Sequence, residues 1–261
     1  MNDAVPAFAE WAAPAHWQAI DFISDLHLAR GMPRTFDAWA AHLECTPADA
    51  VFMLGDLFEV WVGDDARASG FERECADVLA RAARLRTLGF MAGNRDFLVG
   101  AALLGECGVV GLADPTVVAA FGTRALLTHG DALCIGDIDY QRFRAEVRSA
   151  AWQQRFLALP LDERRTIARS LRDASEARRR ASVLPADVDV DASLAAEWLA
   201  RAAAPVLVHG HTHRPASAAL PGGGTRHVLS DWDLEQPPGR ADVVRWTRDG
   251  FARVAPATRH H

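Results

Sequence analysis

Pro205-Val206-Leu207-Val208-His209-Gly210-His211-Thr212-His213 is the stretch on which the reading of this chain turns. Val206-Leu207-Val208 is a short β-branched apolar run of the kind that fills a buried strand. His209 and His211 then stand where strand gives way to turn. Gly210 between them lets the backbone approach a neighbour closely or take a conformation closed to other residues. Imidazole is the commonest metal ligand near neutral pH, although a lone histidine is as often structural. Four further stretches repeat the arrangement: Ser24-Asp25-Leu26-His27, Gly55-Asp56, Gly93-Asn94-Arg95-Asp96 and His129-Gly130-Asp131 each follow an apolar run.

Working outward, Ala19–Ile23, Ala50–Leu54, Phe90–Ala92, Thr116–Phe121 and Arg124–Leu127 read as strands. Side chains alternate across a strand, so Asp25 and His27 point the same way and suit a divalent cation. Asp56 leaves its strand through Gly55, Asn94 offers a neutral oxygen, and Arg95 offers a planar donor fork suited to phosphate. Ligands gathered at one sheet edge follow the usual placement of sites in α/β folds. Pro33–Leu43 and Phe71–Leu88 read as helices, the latter with Gly89 as a C-cap. The loop of Trp61, Gly63, Asp64 and Asp65 is either a solvated turn or a wall of the site. Beyond His213, the runs Ala216–Leu220, Thr225–Leu229, Ala241–Thr247 and Phe251–Val254 read as antiparallel strands of a second sheet.

Between residues 137 and 182 the pattern becomes helical, with Tyr140, Phe143, Val147 and Ala151 on one face and a break at Pro160. Asp162 then caps a second helix running to about Arg180. Eleven arginines, from Arg142 to Arg180, make the segment basic. It is either an amphipathic hairpin with a solvated face, or a lid whose apolar side covers a greasy substrate and whose arginines meet phosphate or anionic headgroups. With no Gly/Ser/Pro-rich linker around it, the whole chain 1–261 is expected to be one domain with a helical insertion at about 137–182.

Composition narrows the chemistry. The 261 residues are 50% hydrophobic and carry a net charge of −6, which argues against a nucleic-acid partner. Every basic residue is arginine, so Schiff-base and P-loop lysine chemistry are excluded. Cys45, Cys75, Cys107 and Cys134 are scattered, fitting free thiols and neither a zinc ribbon nor a disulfide framework. No basic-then-apolar leader opens the chain, and no apolar run is long enough to span a bilayer.

Taken in order, Asp-x-His, Gly-Asp, Gly-Asn-Arg-Asp, a lone His and Gly-His-x-His resemble the calcineurin-like metallophosphoesterases. The resemblance implies an α/β fold, a sandwich of two mixed sheets flanked by helices, with two metal ions at the sheet ends. The fuller wording Phe22-Ile-Ser-Asp-Leu-His-Leu28, Gly55-Asp-Leu-Phe-Glu-Val-Trp61, Gly93-Asn-Arg-Asp-Phe-Leu98 and His209-Gly-His-Thr-His-Arg-Pro215 is similar to one branch. That branch is the UDP-2,3-diacylglucosamine diphosphatase family of lipid A biosynthesis. The likeness runs from about Ala19 to Val254 and takes in Asp139-Tyr140-Gln141, Phe143-Arg144 and Leu159-Pro160-Leu161 of the helical insertion.

What this resemblance implies is specific. Two Mn²⁺ ions are expected per chain: one on Asp25, His27, Asp56 and His211, the other on Asp56, Asn94, His129 and His209. Asn94, Arg95 and His209 are the expected catalytic residues. Asn94, Arg95, Asp137, Tyr140, Ser175, Arg179 and His209 are the expected substrate contacts. Where the family carries a lysine near the end of the second lid helix, this chain has Ser182, with Arg180 nearby. The reaction implied is hydrolysis of UDP-2,3-diacylglucosamine by metal-activated water at the α-phosphorus, giving UMP and 2,3-diacylglucosamine 1-phosphate. The implied setting is the cytoplasmic face of the inner membrane, with peripheral attachment to its anionic surface. Two other readings stand beside it: a metallophosphoesterase for soluble nucleotides or phosphodiesters, and a binding scaffold with a degenerate site. Tyr140, Phe143, Trp152, Phe156 and Leu157 either line an acyl-chain cleft or pack the insertion's own core.

Overall fold

The structure is a computed structural model that describes residues 6–181 and 189–259. In chain order the elements are β1 (Ala9–Ala12), β2 (Ala19–Ile23), α1 (Pro33–Cys45), β3 (Ala50–Leu54), α2 (Gly70–Ala82), β4 (Thr87–Met91), α3 (Ala101–Cys107), β5 (Val110–Leu112), β6 (Thr116–Ala120) and β7 (Thr123–Thr128). They continue with α4 (Ile138–Val147), α5 (Ala150–Leu157), α6 (Leu161–Ala181), α7 (Ala192–Ala202), β8 (Val206–His209), β9 (Ala216–Ala219), β10 (Thr225–Val228), β11 (Val243–Thr247) and β12 (Gly250–Val254).

Two mixed six-stranded sheets result, ordered β1-β6-β7-β8-β10-β9 and β12-β11-β2-β3-β4-β5. Every residue of β2 and β3 is buried, as expected of parallel strands covered on both faces. Strand alternation divides their side chains between two cores. Ile20, Phe22 and Phe52 meet Leu127, Val208 and Trp246 between the sheets. Ile23, Val51 and Met53 meet Trp39, Leu43 and Leu79 of α1 and α2. On the far side, Trp198 and Leu199 of α7 cover Leu126 and Leu207. The layers are therefore helix, sheet, sheet, helix, as expected of the fold class.

This packing corrects several expectations. The last four strands do not form a sheet of their own: β9 and β10 extend the sheet of β8, whereas β11 and β12 extend that of β2. β10 also runs parallel to β8. Helix α2 stops at Ala82, because Thr87 and Leu88 pair with Ala50 and Val51 of β3. Gly89 is thus a strand residue, and a Cβ there would crowd Phe52 and Leu112. The first arm of the helical segment is two helices, since Ser149 accepts the Trp152 N–H and starts α5 afresh. Elements β1, α3, β5 and α7 were not foreseen. No helix among the described residues is long and apolar enough to cross a membrane.

Candidate metal centre

The ends of β2, β3 and β4 from one sheet and of β7 and β8 from the other meet at one edge. Backbone hydrogen bonds lace them together. Asp25 N–H donates to Gly55 O (3.0 Å), His27 N–H to Asp56 O (3.0 Å), and Gly210 N–H to His129 O (2.9 Å). His211 N–H donates to both Asp25 carboxylate oxygens, at 3.1 and 3.0 Å. His129 Nδ1 donates to Leu54 O at 2.9 Å and so joins the two sheets. Asp25, His27, Asp56, His211 and His213 all have positive φ, between 49° and 69°. Asp and His tolerate this region better than most residues do. These residues lie two or four positions past the ends of β2, β3 and β8.

Glycines make the close approach possible. Gly55 has φ +91°, and a Cβ there would strike the His129 ring. A Cβ on Gly210 would overlap Ser24 and the Asp25 carboxylate.

Two donor groups follow: Asp25, His27 and His213, and Asp25, Asp56 and His129, each with ligand atoms within 4.8 Å of one another. Asn94 Oδ1 lies 2.9 Å from both His129 Nε2 and His211 Nδ1. The structure thus brings six of the seven expected ligands into contact through Asp25, Asp56 and Asn94. The ring of His211 sits with Asn94 and His129, while His213, from the same stretch, is 3.4 Å from Asp25 and 3.3 Å from His27. The seventh, His209, is wholly buried. Its Nδ1 faces Gly210 O at 2.8 Å, and its Nε2 has no protein partner.

The electrostatics suit a cation. Burial opposes ionisation of Asp25, yet His213, His129 and His27 outweigh it and hold the carboxyl well below its usual range. Burial likewise opposes the charge on His129, but Asp56, Asp131 and Asp25 push its pKa up to about 9. Burial, with His129 adding to it at His211, depresses His209 and His211 to about 4, leaving both neutral and able to ligate. A buried imidazole nitrogen without a hydrogen-bond partner fits a divalent metal, as does a donor set of oxygen and nitrogen with no thiolate.

Around this centre lie residues that sequence reading underweighted. Asp96 is fully buried and accepts the backbone N–H groups of Gly93 (2.7 Å), Leu57 (2.8 Å), Asp56 and Phe58 (3.3 Å each), fixing two ligand-bearing loops. Burial and the nearby Asp56 push its pKa up to about 7. Asp131 collects Tyr140 Oη (2.7 Å) and Arg144 Nε (2.8 Å) from α4 and Arg148 (3.4 Å) from the residue that ends it. The signal was present: Tyr140, Arg144 and Arg148 are spaced i, i+4, i+8 and share one helix face. These arginines turn inward and are not part of a solvated face. Arg164, 3% exposed, pairs with Asp65 and donates to Val62 O, so the acidic loop anchors α6. Asp64 receives Gly100 N–H at 2.9 Å and Leu103 N–H at 2.8 Å, securing α3.

Among the expected substrate contacts, Arg95 reaches Glu59 Oε1 at 3.5 Å. Asp137 caps α4 by accepting the Tyr140 N–H at 2.9 Å. The Tyr140 ring stacks beside His211 at 5.9 Å. Ser175, Arg179 and Arg180 fall within α6, but their side chains lie outside the described residues, as does Ser182 altogether. Trp152 and Phe156 stack on each other at 4.7 Å and pack into the core of α1 and α2, while Phe143 and Leu157 stay exposed.

The family described as calcineurin-like phosphoesterase matches residues 19–215. A protein of Ralstonia nicotianae named UDP-2,3-diacylglucosamine hydrolase is 43% identical, across 99% of this chain and 100% of its own length. One of the same name from Chromobacterium violaceum is 44% identical, across 82% of this chain and 90% of its own. Among solved structures, the zinc complex of Vps29 from Entamoeba histolytica aligns with a TM-score of 0.43 at 14% identity, covering 87% of this chain and 84% of that one. This chain belongs to the calcineurin-like phosphoesterase family.

Proposed function

We propose that this chain hydrolyses the pyrophosphate of UDP-2,3-diacylglucosamine, releasing UMP and 2,3-diacylglucosamine 1-phosphate in lipid A biosynthesis. The observation that carries the reading is the convergence of Asp25, Asp56 and His129 at one sheet edge, where the Arg95 backbone N–H donates to Asp56 at 2.7 Å. The substrate rests on relatives named UDP-2,3-diacylglucosamine hydrolase that match over 82% to 99% of this chain. Hard-to-borderline donors without thiolate favour Mn²⁺. One ion is assigned to Asp25, His27, Asp56 and His211, and a second to Asp56, Asn94, His129 and His209. Such ions supply Lewis acidity and bring the pKa of water down to near neutrality.

The chain's own groups do the rest. Arg95 presents donors in a plane that matches phosphoryl oxygens, where negative charge grows during attack at the α-phosphorus. Asn94 and His209 are neutral groups that hold position at the same phosphate without adding repulsive charge. Asp137, Tyr140, Ser175 and Arg179 are assigned to the substrate from the helical segment. That segment, at about 137–182, is proposed as a lid inserted in a single domain. Ile135, Ile138, Phe143, Leu157 and Leu171 are exposed. This supports contact with acyl chains and peripheral attachment to the anionic cytoplasmic face of the inner membrane.

The test is turnover of UDP-2,3-diacylglucosamine by metal-stripped protein after adding back Mn²⁺, in water enriched in heavy oxygen. Label is expected in UMP, with the lipid product unlabelled. Mn²⁺-dependent cleavage of simple phosphodiesters without turnover of the lipid would instead place the enzyme on soluble substrates. Inactivity on both would favour the scaffold.

A further inference from the structure

Glu59 follows the Gly55-Asp56 stretch and lies on the loop leaving β3. Its backbone N–H donates to Leu28 O at 3.1 Å, which clips that loop to the one carrying Asp25 and His27. Its carboxylate is largely covered, and its two oxygens do different things. Oε2 stands 3.2 Å from His27 Nδ1, a charge contact that is not aligned as a hydrogen bond. Oε1 stands 3.5 Å from Arg95 and 3.1 Å from Arg172 Nε on α6. The opposite edge of the same imidazole, Nε2, faces His213 and the Asp25 side.

A carboxylate this close to Nδ1 favours the proton there and leaves the Nε2 lone pair free. Such partners typically change metal affinity 10- to 100-fold when removed. We propose that Glu59 is a positioning residue for the metal centre: it holds His27 with Nε2 turned toward Asp25, while its other oxygen ties Arg95 and α6 to the same point. The lid segment and the metal-binding histidine thereby share one anchor. This rests on the proposed metal site, and the experiment separates the two.

Metal-stripped protein is titrated with Co²⁺, read by its visible absorption and by calorimetry, for the wild type, Glu59→Gln and Arg172→Met. Glutamine keeps the shape but loses the charge at both arms. Thermal midpoints of the metal-free proteins serve as the folding control. Glu59→Gln is expected to bind Co²⁺ at least tenfold more weakly with an altered spectrum, while Arg172→Met stays within threefold of the wild type. A Glu59→Gln affinity within twofold of the wild type overturns the proposal. So does an Arg172→Met loss as large as that of Glu59→Gln, because the effect would then come from loosening α6. A wild type that binds no Co²⁺ overturns the metal site and this proposal together.

Discussion

Single residues at the sheet edge are constrained by the space between backbones more than by their own chemistry. Gly210 illustrates this: its φ is ordinary, yet a methyl group on it would overlap Ser24 and the Asp25 carboxylate that accepts the His211 N–H. Relief requires the ends of β2 and β8 to separate, moving Asp25 away from Asp56 and His129. Overpacking of this kind costs about 1–3 kcal/mol. Gly210→Ala is expected to lower the urea unfolding free energy by that amount and kcat/KM at least tenfold. Gly31→Ala, where an added Cβ meets nothing within 4 Å, is the matched control and should leave both near wild type. Equal behaviour of the two variants in denaturant melts and metal-dependent turnover would show that close approach at Gly210 is not required.

At the level of elements, α4 is held by one carboxylate. Asp131 is fully buried, and His129, Arg148 and Arg144 hold it below the usual carboxylate range against the opposing effect of burial. Tyr140, Arg144 and Arg148 reach it from successive turns, and Gln141 Nε2 donates to its backbone carbonyl at 2.7 Å. Asp131→Asn removes the charge but not the volume. Both arginine side chains are about a fifth exposed, so the loss is set at about 2 kcal/mol, below the range for a fully buried pair. Limited proteolysis should then cut first within α4–α5, whereas Arg142→Ala, which breaks only the exposed pair with Asp139, should not change the pattern. This element also marks how far sequence can be read. Each ligand-bearing strand end was legible because an apolar run followed by Asp, His or Asn is a local pattern. The inward turn of Arg144 and Arg148 was only half legible: their spacing with Tyr140 marks a shared face, but it does not show that the face closes on Asp131 just past the end of β7. The split of β9–β12 between two sheets was hidden for the same reason: pairing partners lie across the fold, and a short apolar run is equally compatible with either sheet. His213 lay in the quoted motif, but that its ring and not that of His211 approaches Asp25, at 3.4 Å, depends on the turn after β8 and is not a local pattern.

Across the whole molecule, the end of the described chain returns to the first helix and closes a polar cluster around Asp21. Asp21 on β2 accepts both Nε and Nη2 of Arg245 on β11, at 2.7 and 2.8 Å, and the Thr46 hydroxyl at 2.6 Å. His42 on α1 lies beside it, its Nε2 3.5 Å from Asp21. Its Nδ1 accepts the Ala257 N–H at 3.1 Å, which places the imidazole proton on Nε2. Burial depresses the His42 pKa from 6.5 to about 4; the attraction of Asp21 is insufficient to reverse this, and Arg245 and Arg86 add to the depression. A histidine with a lowered folded pKa binds fewer protons folded than unfolded. Its contribution to stability is therefore complete above pH 6.5 and is lost progressively as the pH falls toward 4. A gap of this size corresponds to about 3 kcal/mol. His42→Gln retains an acceptor for Ala257 and cannot titrate. The unfolding free energy of the wild type minus that of His42→Gln, measured by urea melts from pH 7 to pH 4, is expected to fall by about 3 kcal/mol as the pH drops. A difference that stays flat, or that rises toward pH 4, would mean that His42 is already protonated in the folded protein and paired with Asp21.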